Sequence, residues 1–226
     1  MIEKIVGNPE IWKIYILLPN SPLKNLNSYV IKTKAGNLVI DTGYNREECK
    51  KTLFEGLEEL NIDMTKTSLF LTHFHSDHMG LVHDFVEKGC SVYMGRIDYD
   101  YFHMLKTGGV SFSANEVLLK EGCPEEILEL QNTQNDGKRY ALKGIFPGHK
   151  MEDGEKICLG DLKIECIHTP GHTPGHMMLY LPDSKVLFTG DHVLFDITPN
   201  ISIWKNVEDS LGDFMISLKK TKDIPV

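Results

Sequence analysis

The sequence predicts an α/β layered protein, and three observations carry that reading. From residue 28 to residue 94, strand-like and helix-like patterns alternate. From residue 154 to residue 189, short strand patterns follow one another with turn residues between them. Hydrophobic residues make up 41% and charged residues 25%, enough to bury a sizeable core. At 226 residues the chain suits one large domain or two small ones.

Residues 13–18, Lys-Ile-Tyr-Ile-Leu-Leu, read as a strand stopped by Pro19 and the loop Asn20-Ser21-Pro22. Residues 28–33 and 37–41 read as a hairpin turning at Lys34-Ala35-Gly36. A helix then opens with Asn45 as N-cap and Glu48 at the third helical position, and Cys49, Leu53, Leu57 and Leu60 recur at helical spacing. Residues 67–71 form a strand, residues 80–89 a helix carrying Leu81, Val82, Phe85 and Val86, and residues 91–94 a short strand.

Residues 96–134 break the alternation and read as a helical insertion. It begins with Tyr99, Tyr101, Phe102, His103, Met104 and Leu105, passes Gly108-Gly109, and is helical at 116–120 and 124–130. An insertion of this kind either roofs a pocket or serves packing. Asn135-Asp136-Gly137 is a turn. Strands follow at 156–159, 162–168, 176–181 and 185–189, with turns at Gly160-Asp161 and Pro182-Asp183-Ser184. The last helix takes Asn206 as N-cap and Asp209 in its first turn, with Leu211, Phe214, Met215 and Leu218 on one face.

The formal net charge of -8 disfavours nucleic acid and anionic membranes as partners, because both reward basic surfaces. The five cysteines are scattered and contain no C-x-x-C pair, which argues for buried free thiols in a reducing compartment. The N-terminus lacks the form of a signal peptide, and no apolar run reaches spanning length. The expectation is a cytoplasmic protein acting on a small-molecule substrate.

The chemistry is concentrated in Thr72-His73-Phe74-His75-Ser76-Asp77-His78-Met79-Gly80. Imidazole and carboxylate are ligands for zinc, iron or manganese. His73 and His75 lie two apart, so an extended chain points both to one side. Two later stretches, 168–176 with His168, His172 and His176, and 188–192 with Asp191 and His192, also sit at strand ends. Strand ends on one edge of a layered fold can converge on one site.

H-x-H-x-D-H at 73–78, T-P-G-H-T-P-G-H at 169–176, T-G-D at 189–191 and an early D-T-G at 41–43 resemble the metallo-β-lactamase superfamily. The resemblance covers about residues 27–220 and implies a four-layer αβ/βα sandwich with metals at one edge of paired sheets. It also implies that His73, His75 and His172 hold a first metal, that Asp77 and His78 belong to a second, and that Asp191 bridges them. Asp77 and Asp191 are the residues expected to act in catalysis. Asp41 resembles the family's carboxylate that orients a ligand histidine. His176 is read as a packing or supporting residue, and His168 and His192 as structural. Of the remaining histidines, His149 and His83 have no ligand-type setting, whereas His103 could face the pocket.

The activity implied is a metal-dependent hydrolase of a small ester, thioester, lactone or lactam, attacking through a hydroxide on two divalent ions about 3.5–4 Å apart. Zinc is the first choice of metal, with iron or manganese as alternatives. The T-P-G-H-T-P-G-H form resembles glyoxalase II-like thioesterases and lactonases. The competing expectation is a mononuclear iron oxidoreductase of the persulfide dioxygenase type, with His73, His172 and Asp191 as its facial triad. The chain departs from the family in one respect: no histidine follows His192, where another ligand to the second metal is usual. On that ground the expectation is a single domain over residues 1–226, truncated at its C-terminus.

Overall fold

The computed structural model describes residues 1–19, 23–108, 114–133 and 136–226. The loop read at Asn20-Ser21-Pro22, together with Gly109 and Asn135, lies outside the described residues.

A seven-stranded sheet takes its strands in chain order: β1 (Ile2–Val6), β2 (Glu10–Leu17), β3 (Asn25–Lys32), β4 (Asn37–Ile40), β5 (Thr67–Leu71), β6 (Ser91–Gly95) and β7 (His149–Met151). The first four pair antiparallel, whereas β4 through β7 run parallel. Parallel neighbours need crossovers. α1 (Glu47–Glu59) supplies one, and α2 (Ser76–Met79) with α3 (Val82–Glu87) supplies the next. Between β6 and β7 run α4 (Arg96–Lys106), α5 (Ala114–Lys120), α6 (Glu125–Thr133) and α7 (Asp136–Arg139). The second sheet is an antiparallel meander of β8 (Lys156–Leu159), β9 (Leu162–His168), β10 (Met177–Leu181) and β11 (Val186–Phe188). α8 (Ser210–Thr221) follows it.

Strand periodicity divides the core in two. In β5, Leu69 and Leu71 join the cluster under the helices, with Leu53, Leu57, Val82 and Phe85. Phe70 between them turns to the other face and meets Ile164, Cys166, Leu179 and Leu181 of the second sheet. β4 divides the same way, with Val39 to the helices and Leu38 and Ile40 to the second sheet. Strands buried on both faces read as continuous apolar runs, as these do. On the far side, α8 is fastened by Ser217 Oγ donating to Pro170 O (2.8 Å) and Lys220 Nζ donating to His168 O (3.0 Å). Helix, sheet, sheet and helix make the expected four-layer αβ/βα sandwich.

The structure corrects several details. β1 and β7 escape the sequence reading: β1 is mostly solvent-facing, and β7 has only three residues. The helical insertion reaches Arg139, because Asp136 and Gly137 belong to a one-turn helix rather than a turn. Asn45 does not cap α1; Arg46 holds that position without a side-chain cap, its guanidinium paired instead with Glu48. Asn206 does not cap α8 and adopts φ +63°, while Asp209 caps it by accepting from Gly212 N (2.8 Å). Cys158 is exposed rather than buried, and all five thiols are free.

Candidate metal centre

The parallel strands deliver the first residues of the site at their C-terminal ends, where open α/β sheets place ligands. Asp41 follows β4, and Thr72 and His73 follow β5. From the second sheet, the β9–β10 loop brings His172 and the segment after β11 brings Asp191. One ligand atom from each of His73, His75, His172 and Asp191 lies within 4.8 Å of all the others. His172 Nε2 is 3.3 Å from His73 Nε2, 2.9 Å from His75 Nδ1 and 3.4 Å from Asp191 Oδ2.

These residues fit a metal ion. His73 Nδ1 is 3.0 Å from Thr72 Oγ1, whose hydroxyl donates to Asp41 Oδ2 (2.8 Å). His172 Nδ1 donates to the Asn200 carbonyl (2.7 Å). With the other nitrogen of each ring engaged, Nε2 of His73 and of His172 present bare lone pairs that face each other. Burial first, then the neighbouring imidazoles, push His73 well below the ordinary histidine range and His75 down to about 3. His172 is lowered too, chiefly by burial. Neutral rings with converging lone pairs are what a divalent cation requires, and a tetrahedral ion with bonds of about 2.0–2.1 Å holds its ligands about 3.4 Å apart.

A second group adjoins the first. His78 Nδ1 donates to Asp41 Oδ2 (2.8 Å), and its Nε2 lies 3.3 Å from Asp191 Oδ1 and 3.9 Å from Asp77 Oδ2. That nitrogen is buried and has no hydrogen-bond partner of good geometry. Burial opposes charge on His78, but the carboxylates of Asp191, Asp41 and Asp77 together outweigh it and hold its pKa well above the usual value. Burial likewise opposes charge on Asp191, and His78, with help from His172 and His176, draws its pKa below the ordinary carboxylate range. The two oxygens of Asp191 therefore face one group each. Asp77 is raised, by burial first.

Supporting contacts explain several motif residues. Asp41, at φ +60°, accepts from Thr72 N (2.9 Å), Thr72 Oγ1 and His78 Nδ1, so one buried carboxylate orients His78 directly and His73 through Thr72. Left-handed backbone at a non-glycine residue costs energy and concentrates at functional sites. His176 takes the supporting role expected of it: its Nε2 accepts from Asp191 N (3.2 Å) while Nδ1 contacts Thr169 Oγ1 (2.8 Å). Gly190 at φ +49° lies so close that a Cβ would come within 2.5 Å of His176 Nε2, which accounts for the glycine before Asp191.

The other histidines lie outside both groups. His168 Nε2 contacts the Pro174 carbonyl, His83 Nε2 the Lys143 carbonyl, and His149 stacks on Tyr93. His103 stacks on Tyr99 with ring centroids 4.1 Å apart, and His192 packs beside Phe214 at 4.9 Å. Three contributors carried no sequence signal. Asn200 acts through its backbone carbonyl. Trp204 donates from Nε1 to His172 O (3.2 Å) and packs on Phe74. Asp98, in the first turn of α4, is buried beneath the ligand loops, and an isolated acid at a helix start reads as ordinary dipole pairing. Tyr101 stacks on Phe74 at 5.6 Å, so the start of the insertion does border the site, whereas α5 and α6 expose Leu119, Ile127 and Leu130.

Comparison with known proteins bears on the family and the fold. A metallo-beta-lactamase family protein of Thermus thermophilus superposes with a TM-score of 0.81 at 26% identity, over 95% of this chain and 70% of that one. A Caenorhabditis elegans protein named beta-lactamase-like protein 2 homolog is 27% identical over 89% of this chain and 53% of its own length. An atrochrysone carboxyl ACP thioesterase of Paecilomyces divaricatus is 27% identical over 88% of this chain and 46% of its own. The human acyl-coenzyme A thioesterase MBLAC2 is 25% identical over 75% of this chain and 58% of its own. The chain thus spans about half the length of the curated relatives it matches. The model of the metallo-beta-lactamase superfamily matches residues 23–222, and the chain belongs to that superfamily.

Proposed function

We propose that the protein is a metal-dependent hydrolase of a thioester. The observation that carries the reading is the convergence of His73, His75, His172 and Asp191, two buried imidazoles, a half-buried one and a carboxylate drawn from both sheets. These four would hold one divalent ion, and Asp77, His78 and the second oxygen of Asp191 would hold another. Ions in these places supply Lewis acidity toward a carbonyl oxygen and lower the pKa of a water, and zinc suits such a ligand set.

The chain's own residues prepare that chemistry. Asp41 fixes the tautomers of His78 and, through Thr72, of His73. His176 holds the Asp191 backbone, so the carboxylate keeps one oxygen toward each group. Asp77 Oδ2 stands 3.9 Å from His78 Nε2 and would join it in holding the second ion. A thioester suits the centre because its leaving thiol, with a pKa of about 8.5, departs as thiolate without an acid to protonate it. Two relatives named as thioesterases point the same way.

The iron reading would use His73, His172 and Asp191 alone. His75 Nδ1, 2.9 Å from His172 Nε2, supplies a fourth ligand beyond a two-histidine, one-carboxylate triad and supports the hydrolytic reading instead. Metal analysis combined with hydrolysis of acyl-coenzyme A and simpler thioesters is the test. Activity that is lost on chelation and restored by zinc is expected. Thioester hydrolysis indifferent to chelation, or one iron per chain with oxygen consumption, would overturn the proposal.

A further inference from the structure

Asp98 belongs to neither ligand group, yet its carboxylate joins the loops that carry them. Oδ2 accepts from Thr173 Oγ1 (2.6 Å), Oδ1 accepts from Gly175 N (2.5 Å), and the Phe74 backbone N–H is a third donor. Phe74 lies between His73 and His75, and Thr173 directly follows His172. The residue is fully buried, and its partners are neutral donors. The approach is close at the backbone as well: a Cβ on Gly175 would come within 2.2 Å of Asp98 N. A fold needing only to fill this space would place an apolar side chain here more cheaply, because an ionised buried carboxylate without a cation is costly. The two oxygens of Asp98 gather three donors from two loops at once, whereas an amide would turn a donor of its own toward one of them.

We propose that Asp98 is a positioning residue, setting the separation of His73 and His75 from His172 and thereby the metal affinity and ligand geometry of the centre. The two loops leave different sheets: the first follows β5 and the second links β9 to β10. Asp98 ties them from a third element, α4. The inference rests on the metal-binding reading of the cluster.

The test is a zinc titration of the full chain against a competing chelator, together with the visible absorption spectrum of the cobalt-substituted protein. Asp98→Asn keeps the shape but sets an amide donor against the gathered donors; it is expected to weaken zinc affinity about 10–100-fold, as residues outside the ligand set do, and to shift the cobalt bands. Thr173→Val removes one of the three donors and is expected to weaken affinity by a smaller factor, while Thr173→Ser restores it. A purely structural residue would lower the unfolding temperature of the metal-free protein without moving the cobalt spectrum of the folded fraction. Asp98→Asn folded, with the wild-type spectrum and affinity within about twofold, overturns the proposal; should that variant not fold, the same result with Thr173→Val does so. His172→Ala separates the two readings. If it leaves zinc affinity unchanged, the metal reading itself fails; if it abolishes binding while Asp98→Asn does not alter it, only the role of Asp98 fails.

Discussion

The two ligand groups are built differently. His73, His75, His172 and Asp191 come from both sheets and converge within 4.8 Å. The second group draws His78 and Asp77 from one short helix and shares Asp191 with the first, with Asp77 3.9 Å and Asp191 3.3 Å from His78. Their electrostatics differ too. The first group holds neutral imidazoles, whereas His78 sits among three carboxylates that favour its charged form. A cation can therefore enter the first group without displacing a proton, while the second must release one from His78 before it can ligate. The first group should fill first and more tightly. Among the described residues the second group has one imidazole, His78, where the first has three.

The largest effect expected is from His172→Ala, which removes the residue nearest to the three other ligands. Metal affinity of the first group should fall by more than the roughly 100-fold typical of supporting residues, and hydrolysis should fall with it. Atomic emission analysis after gel filtration checks this, and a full complement of metal would break the proposed contrast between the groups. Asp41→Ala comes next. It removes the direct partner of His78 and leaves His73 linked only to Thr72, so the second group should lose about 10–100-fold in affinity and the first less. Equal losses at both groups would show that they are not separately supported.

These contrasts were unevenly legible in the sequence. The run at 72–78 announced itself because ligand-type residues crowd behind an apolar strand. His172 and Asp191 required a resemblance to be paired with it, because nothing local says that strand ends so far apart in the chain will meet. Asp98 stayed hidden because its meaning lies in the donors that reach it from two other segments. The layered fold was readable from apolar strands buried on both faces, as Phe70 between Leu69 and Leu71 illustrates. β1 was not, because an edge strand whose three central residues are exposed has little hydrophobic pattern. The caps of α1 and α8 failed for a related reason. Asn45 and Asn206 are the right residue type, but the chain enters each helix later, where backbone geometry rather than composition decides.

Gly190→Ala tests the link between the groups at lower cost. A left-handed backbone position and a Cβ 2.5 Å from His176 Nε2 should destabilise the fold by about 1–3 kcal/mol. Because Asp191 follows directly, affinity at both groups should fall together. Equilibrium unfolding in urea checks the first part and parallel metal titrations the second; a loss confined to one group would mean that Asp191 does not serve both.

The last effect expected is a pH slope in the metal-free protein. Burial lifts the Asp98 carboxyl from 3.8 to about 7, against the pull of Thr173, Gly175 and Phe74. Between those values the folded state holds a proton that the unfolded state has released. Stability from this group is therefore complete below the unfolded pKa and is lost as pH rises toward 7, at up to about 1.4 kcal/mol per unit. The lowered histidines act in the opposite sense: His75, held down to about 3, makes the folded protein lose stability as pH falls below 6.5. A single unfolding profile mixes the two. The difference between wild type and Asp98→Asn cancels the histidines and isolates the carboxyl, because the amide does not titrate. That difference, measured by urea unfolding at several pH values from about 4 to about 7, should shrink steadily as pH rises. A constant difference would mean that Asp98 is ionised throughout the window, held by its three donors as a fixed anion beneath the ligand loops.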